Sequence, residues 1–353
     1  MATSQKNVFG SSEPVVSIQE LLKEPIKTIP QNYILSKQEH PNPVPHANQL
    51  LPIIDMNRFA SMEEFHLELH KLHSACQHWG FFQLVNHGVS TELLEKLKHE
   101  MEGFFKLPLE EKMKYRIRAG EVEGYGSVAR PEGKLDWADR FYMITNPVHR
   151  RKPYLLPELP SSLRSTLDTY VLELQNLGME LFGLIAKALK IEVKEMEIFV
   201  DGMQSVRMTH YPPCPQPELV MGITPHSDAT GITILNQVNG VDGLQIKRDG
   251  IWYPVSFLPD ALVVNVGDIL EILSNGIYNS IEHRVAVNSE KERMSIAFFI
   301  NPKFEAEVGP LPSLINQQNP PLYKRIMMEE YVKGVFARKL DGKTYLNHMR
   351  VEP

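Results

Sequence analysis

The sequence has few cysteines, no long apolar run and no excess of basic residues. Cys76 and Cys214 are its only cysteines, too few for the disulfide framework of a small secreted domain, so we expect a reducing compartment. No stretch approaches the roughly 18–20 consecutive apolar residues that a membrane-spanning helix needs. With 37 basic and 43 acidic residues, the formal charge of −6 favours neither nucleic acid nor an anionic membrane as a partner.

Targeting signals and internal repeats are also missing. Residues 1–10 are polar and lack the charged-then-apolar order of a secretory signal. Residues 350–353 match no retention or peroxisomal address, and no fixed-period repeat is found. A cytoplasmic protein is therefore expected.

The 353 residues, 42% of them hydrophobic, are enough for one large domain with extensions. Composition and the pattern of apolar residues divide the chain into four regions: an extended arm over 1–50, a mixed α/β region over 51–200, a strand-rich core over 201–305 and a helical segment over 306–353. Apolar residues at helical spacing predict a long scaffold helix over 161–191. Gly178 or Gly183 is expected to break or kink it.

Short apolar runs alternate with turn signals after about residue 203, at 203–211, 231–237, 244–247, 252–257, 261–266, 281–287 and 294–300. Residues 248–250 (RDG) are a hairpin signal between two of these runs. So many closely spaced strands predict an antiparallel sandwich or jelly roll. The expected fold class is α+β, with a double-stranded β-helix (jelly-roll) core, supporting helices and a mixed N-terminal region.

Two histidine–carboxylate pairs compete as metal ligands. His66 and Glu68 lie on a predicted helix, where residues i and i+2 point about 200° apart and cannot grip one ion. His226 and Asp228 lie in extended chain, where i and i+2 share a face. The geometry favours the second pair.

His283, at the start of a later strand, is the candidate third ligand. Two imidazoles and one carboxylate suit Fe(II) oxygen chemistry, although zinc hydrolases use similar ligands. Arg293 and Ser295 follow on one strand face, and a guanidinium beside a hydroxyl is a receptor for a carboxylate. Metal ligands near a carboxylate clamp indicate a chelating keto-acid co-substrate.

Taken together, these motifs resemble those of the plant 2-oxoglutarate- and Fe(II)-dependent dioxygenases. The resemblance covers essentially the whole chain and rests on residues 79–88 (WGFFQLVNHG), 211–217 (YPPCPQP), 226–228 (HSD), 243–245 (GLQ), 265–268 (NVGD), 274–276 (SNG), 283–284 (HR) and 293–295 (RMS). Within the family, residues 120–139 and 338–346 are most similar to the senescence-related-gene type and the alkaloid O-demethylases.

The resemblance implies a role for each matching residue: Fe(II) ligands His226, Asp228 and His283; binders of the distal 2-oxoglutarate carboxylate Arg293 and Ser295; and further co-substrate contacts Tyr211 and Thr209. Thr209 departs from the family pattern, which has asparagine at this position. His210, beside it, is also unusual, since the family has tyrosine there.

Substrate-binding residues are predicted less directly. His210, Tyr125, Phe141 and Phe299 are candidates for the pocket wall, although buried aromatic residues often serve the core instead. His87 and Cys214 are interpreted as turn residues rather than as a ligand and a nucleophile.

The resemblance implies an oxidoreductase that takes Fe(II), 2-oxoglutarate and O₂, with ascorbate as reductant. It oxidises a C–H bond of a plant specialised small molecule, by hydroxylation or O-demethylation, and releases succinate and CO₂. Alternatives with the same ligands are desaturation, ring closure, ascorbate-coupled oxidation without 2-oxoglutarate, and zinc-dependent hydrolysis. A binding protein that kept the fold but lost turnover is an alternative of another class.

Overall fold

The computed structural model describes residues 17–26, 28–35, 51–127, 133–155, 161–336 and 342–351. Much of the predicted arm over 1–50 therefore lies outside the described residues. Within them, the α-helices are α1 (Ile18–Leu21), α2 (Phe65–His78), α3 (Thr91–Lys106), α4 (Leu109–Met113), α5 (Ser161–Leu189), α6 (Asp268–Leu273), α7 (Met328–Phe336) and α8 (Thr344–Met349).

The strands of these residues form three sheets. In chain order they are β1 (Ile53–Asp55), β2 (Phe81–Val85), β3 (Gly124–Tyr125), β4 (Asp139–Asn146), β5 (Gln204–Tyr211), β6 (Ile223–His226), β7 (Ile232–Gln237), β8 (Leu244–Arg248), β9 (Ile251–Pro254), β10 (Leu262–Val266), β11 (His283–Val285), β12 (Arg293–Ile300), β13 (Glu307–Val308) and β14 (Ile326–Met327). The large sheet has the order β1-β2-β10-β7-β12-β5-β4-β3, the small sheet has the order β6-β11-β8-β9, and β13 pairs with β14.

The large and small sheets face each other across one cavity, since β5, β7, β10 and β12 of the first and β6, β8 and β11 of the second all contribute side chains to its wall. This is the predicted jelly roll, so the α+β prediction is confirmed. The RDG hairpin also forms: Asp249 and Gly250 take positive φ values of 51° and 79° between β8 and β9, as a tight hairpin turn requires.

Helices cover the outer face of the large sheet. Helix α3 begins where Ser90 caps it, its hydroxyl accepting from the N–H of Leu93 at 3.3 Å. Helix α5 packs against both α2 and α3. It runs without interruption from Ser161 to Leu189, so a break at Gly178 or Gly183 is wrong, while the alternative of a kink stays a prediction. At Gly178 an added Cβ would lie 2.2 Å from Cδ1 of Ile300; the glycine permits close packing of α5 on β12.

The N-terminal region contributes strands as well as helices. Strand β4 was not predicted, because its buried face carries the polar residues Asp139 and Thr145 beside Phe141 and Met143, which weakens the alternation of apolar and polar residues. It pairs with β5 along its length and extends the large sheet. The division into four regions stays a prediction. Across the described ranges we find no helix with the length and hydropathy that a membrane crossing would require.

Candidate metal centre and co-substrate pocket

His226, Asp228 and His283 meet at one point of the cavity. His226 ends β6, His283 begins β11, and the two are direct partners in the antiparallel pairing of these strands. Nε2 of His226 lies 3.5 Å from Oδ1 of Asp228, and Nε2 of His283 lies 3.7 Å from the same oxygen. Among the described residues this is the only group of three or more histidine, cysteine, aspartate or glutamate side chains whose ligand atoms all lie within 4.8 Å of one another.

Backbone carbonyls fix the orientation of both imidazoles. Nδ1 of His226 contacts the carbonyl oxygen of Thr224 at 2.8 Å, and Nδ1 of His283 contacts that of Ile281 at 3.1 Å. A carbonyl can only accept, so each Nδ1 carries a proton, and in the neutral form of the ring the lone pair is on Nε2. Both Nε2 atoms face Oδ1 of Asp228.

The carboxylate of Asp228 is oriented in the same way. Its Oδ2 accepts from Oγ1 of Thr233 at 2.7 Å and from Nδ2 of Asn265 at 2.9 Å. These two donors occupy one oxygen and leave Oδ1 facing the histidines. Such supporting contacts are what a metal site needs to hold its ligands ready.

The electrostatics of the three groups call for a cation. Burial alone would raise the pKa of Asp228, but His283, His226 and Asn265 outweigh it and hold that pKa well below its usual range. Burial and then repulsion by His226 lower the pKa of His283 to about 4. At neutral pH the centre thus presents a carboxylate and an uncharged imidazole, while the buried Nε2 of His226 has no hydrogen-bond partner. A divalent ion would satisfy all three, and this donor set fits Fe(II).

The second polar group of the cavity is the pair Arg293 and Ser295. Arg293 is 2% exposed, and its Nη1 donates to Oγ of Ser295 at 3.2 Å. Its Nε and Nη2 are buried without hydrogen-bond partners. Burial also lowers the pKa of this guanidinium. Gly243 makes room for it, since an added Cβ would lie 2.8 Å from Cδ of Arg293. A buried guanidinium whose donors lack acceptors favours an anionic ligand.

Tyr211 and Thr209 lie beside this clamp. Strand β5 pairs with β12 so that Tyr211 is opposite Arg293 and Thr209 is opposite Ser295. Both residues line the cavity, and the Arg293 guanidinium lies 5.0 Å from the centre of the Tyr211 ring. The residues predicted for metal and co-substrate therefore line one cavity.

Of the four predicted wall residues, Phe299 lines this cavity. The other three residues lie outside the cavity wall, so their predicted placement is corrected. His210 stacks on the ring of Phe105 at 5.4 Å and contacts Glu292 at 2.8 Å, while Tyr125 and Phe141 pack around Phe104 in the hydrophobic core.

The reason for the correction is strand alternation. On β5, Thr209 and Tyr211 face the cavity, so His210 must face the opposite side. Helix α3 covers that side, and its Phe105 contacts His210. Phe141 on β4 is the partner of Met208 on β5, so it belongs to the same covered face.

Two residues that line the cavity were not predicted as site residues from the sequence. Asn265 belongs to a recognised motif, but its contact with Asp228 depends on the pairing of distant strands. Arg207 also lines the cavity, and its spacing of two from Thr209 and four from Tyr211 could have revealed it.

Comparisons with known proteins agree with this arrangement. Residues 202–302 match the 2OG-Fe(II) oxygenase superfamily, and residues 51–160 match the family described as non-haem dioxygenase in morphine synthesis N-terminal. The chain belongs to the 2OG-Fe(II) oxygenase superfamily. This 2-oxoglutarate- and Fe(II)-dependent dioxygenase is thus an oxidoreductase, as the resemblance implied.

Similar relatives of the dioxygenase cover nearly its whole length. Oxoglutarate-dependent flavonoid 7-O-demethylase 1 of Ocimum basilicum is 47% identical, with 99% of this chain and 94% of the relative aligned. Protein SRG1 of Arabidopsis thaliana is 50% identical and thebaine 6-O-demethylase of Papaver somniferum is 46% identical, each with 97% of this chain and 98% of the relative aligned. A crystal structure of JOX2 in complex with 2OG, Fe and JA is 34% identical, with a TM-score of 0.88 over 96% of this chain and 99% of JOX2.

Proposed function

We propose that His226, Asp228 and His283 hold the Fe(II) of this dioxygenase, through the two Nε2 atoms and Oδ1. The observation that carries the proposal is the convergence of these three atoms beside a buried Arg293 with unpartnered N–H groups. The carbonyls of Thr224 and Ile281 keep the imidazoles in the ligating tautomer.

Arg293 and Ser295 bind the distal carboxylate of 2-oxoglutarate, and Tyr211 adds a further contact. In this arrangement the clamp orients the co-substrate, with its keto-acid end towards the metal ligands. Leu235, Leu244 and Val285 line the same cavity and exclude water from it. Bound Fe(II), with O₂ and 2-oxoglutarate, supplies the oxidation of a C–H bond, with succinate and CO₂ as co-products.

The proposed substrate is an aromatic or polycyclic plant specialised metabolite that carries a methoxy group. The flavonoid and thebaine O-demethylases among the relatives support this class, and so does a wall that includes Phe81, Phe299 and several aliphatic residues. Attack on the methoxy carbon gives O-demethylation; attack on a ring or chain carbon gives hydroxylation.

A screen of methoxylated aromatics with Fe(II), 2-oxoglutarate and ascorbate tests this function. We expect a product that has lost one CH₂ group, with formaldehyde and succinate in equal amounts. A chelator should stop the reaction, and Fe(II) but not Zn(II) should restore it. A product that has gained one oxygen, without formaldehyde, would instead assign hydroxylation, and metal-independent turnover would refute the proposal.

Thr209 provides a test of the departure from the family pattern. Its hydroxyl offers one donor where asparagine offers two, so we expect Thr209→Asn to leave the affinity for 2-oxoglutarate unchanged or to tighten it several-fold. Calorimetric titration of 2-oxoglutarate into the metal-loaded variant measures this, with Thr209→Val as the variant that lacks the hydroxyl. A marked loss of affinity in Thr209→Asn would mean that the pocket is built around threonine.

We also propose a cytoplasmic location, which the low cysteine content favours. Cys76 and Cys214 are both buried and unpaired, as suits a reducing compartment. Microscopy of a fluorescent fusion tests this location.

A further inference from the structure

Arg207 lies in the same cavity as the metal ligands and faces it from β5. Arg207, Thr209 and Tyr211 share one face of this strand, opposite Ala297, Ser295 and Arg293 on β12. At about 3.4 Å per residue, Arg207 is about 7 Å along the strand from Thr209 and about 14 Å from Tyr211. It therefore lies at the end of this row that is farther from Arg293, where it can meet a second ligand.

The guanidinium of Arg207 is not neutralised by the protein. Within the described part of the chain, no hydrogen bond or ion pair joins it to another residue, and its Nε is buried without a partner. It does lie 5.2 Å from the centre of the Phe299 ring, but a cation–π contact uses none of its five N–H donors. Arg140, on the neighbouring β4, adds a second positive charge beside it.

With metal and 2-oxoglutarate bound, the positive charge of Arg207 is not balanced by any other charge that lines the cavity. Asp228 is the only acidic side chain among the described residues that line it. A divalent metal ion, the Asp228 carboxylate, the Arg293 guanidinium and the 2-oxoglutarate dianion sum to zero. One positive charge then remains, on Arg207, in a partly buried position where an unpaired charge is costly.

We propose that Arg207 binds a carboxylate of the substrate and so selects acidic aromatic substrates over esterified or cationic ones. The planar fork of a guanidinium pairs with a carboxylate through two parallel hydrogen bonds, and the Phe299 ring holds the fork in place. This inference rests on the proposed function, because it names the substrate class of the same site.

Binding of three matched probes tests the inference without turnover. The probes are para-methoxyphenylpropanoic acid, its methyl ester and para-methoxyphenylpropylamine, titrated into full-length protein loaded with Mn(II) and 2-oxoglutarate. We expect the wild type to bind the acid at least about tenfold more tightly than the ester, and the amine most weakly.

Arg207→Gln should weaken binding of the acid by about one to two decades, because a charge-assisted hydrogen bond is lost. Its affinity for the ester and for 2-oxoglutarate should stay the same, and Arg207→Lys should recover part of the preference for the acid. Arg248→Gln, on the β8–β9 hairpin, is the matched control for loss of a positive charge and should bind all three probes like the wild type.

A wild type that binds acid and ester equally, or binds neither, would overturn the inference, as would a preference for the acid that survives in Arg207→Gln. Failure of the proposed function has a different signature. It would appear as an Fe(II)-loaded enzyme that forms no succinate from 2-oxoglutarate, whatever the probes bind to.

Discussion

Asp228→Asn is expected to abolish metal binding and turnover while the fold stays intact. The hydrogen bonds from Thr233 and Asn265 to Oδ2 require an acceptor at that position, so the amide of the variant must place its oxygen there. Its NH₂ group then points at the two histidines, and an amide nitrogen has no lone pair to offer a metal. The substitution keeps the shape of the residue and reverses the chemistry of one atom.

Titration of Co(II) or Mn(II) into apo protein without oxygen measures the effect. We expect affinity to fall by more than about a hundredfold, since even contacts that only support a ligand contribute about ten- to a hundredfold. Metal should raise the melting temperature of the wild type but not of the variant, because only a ligand bound to the folded state stabilises it. His226→Ala and His283→Ala should lose turnover in the same way.

Asp249→Asn is the matched control, because it makes the same change in the exposed turn between β8 and β9. Asparagine tolerates the positive φ of 51° found there, so metal affinity and succinate formation should equal those of the wild type. Near-wild-type metal binding by Asp228→Asn, with the control unaffected, would remove Asp228 from the metal centre.

The site was predictable from the sequence wherever strand alternation alone determines geometry. His226 and Asp228 are two residues apart, as are Arg293 and Ser295, and in extended chain each pair must share a face. The structure brings both pairs into one cavity. The jelly roll was predictable for a related reason, because short apolar runs separated by turn signals leave few other ways to bury their inner faces.

Contacts between distant strands could not be predicted in this way. Asn265 reaches Asp228 only because β10 pairs with β7 in a particular register. His210 was misplaced for the opposite reason: its neighbours in sequence suggested the pocket, but alternation along β5 turns it towards α3. Tyr125 and Phe141 depend on β3 and β4 joining the large sheet, and the sequence of those strands gives a weak signal.

Arg293→Lys is expected to weaken binding of 2-oxoglutarate by about one to two decades. Lysine keeps the positive charge but loses the planar fork whose Nε and Nη2 are free to receive the distal carboxylate. Ser295→Ala removes a neutral donor, which contributes about 0.5–1.5 kcal/mol, so its effect should be smaller, at about two- to tenfold.

Oxalate is the control ligand for both variants. It has a chelating end like that of 2-oxoglutarate but no distal carboxylate, so its affinity for the Mn(II)-loaded protein should be unchanged in Arg293→Lys and in Ser295→Ala. The ratio of the two affinities isolates the clamp from any disturbance of the metal ligands. Parallel losses for both ligands would indicate damage to the metal centre, and an unchanged affinity for 2-oxoglutarate in Arg293→Lys would remove Arg293 from the co-substrate site.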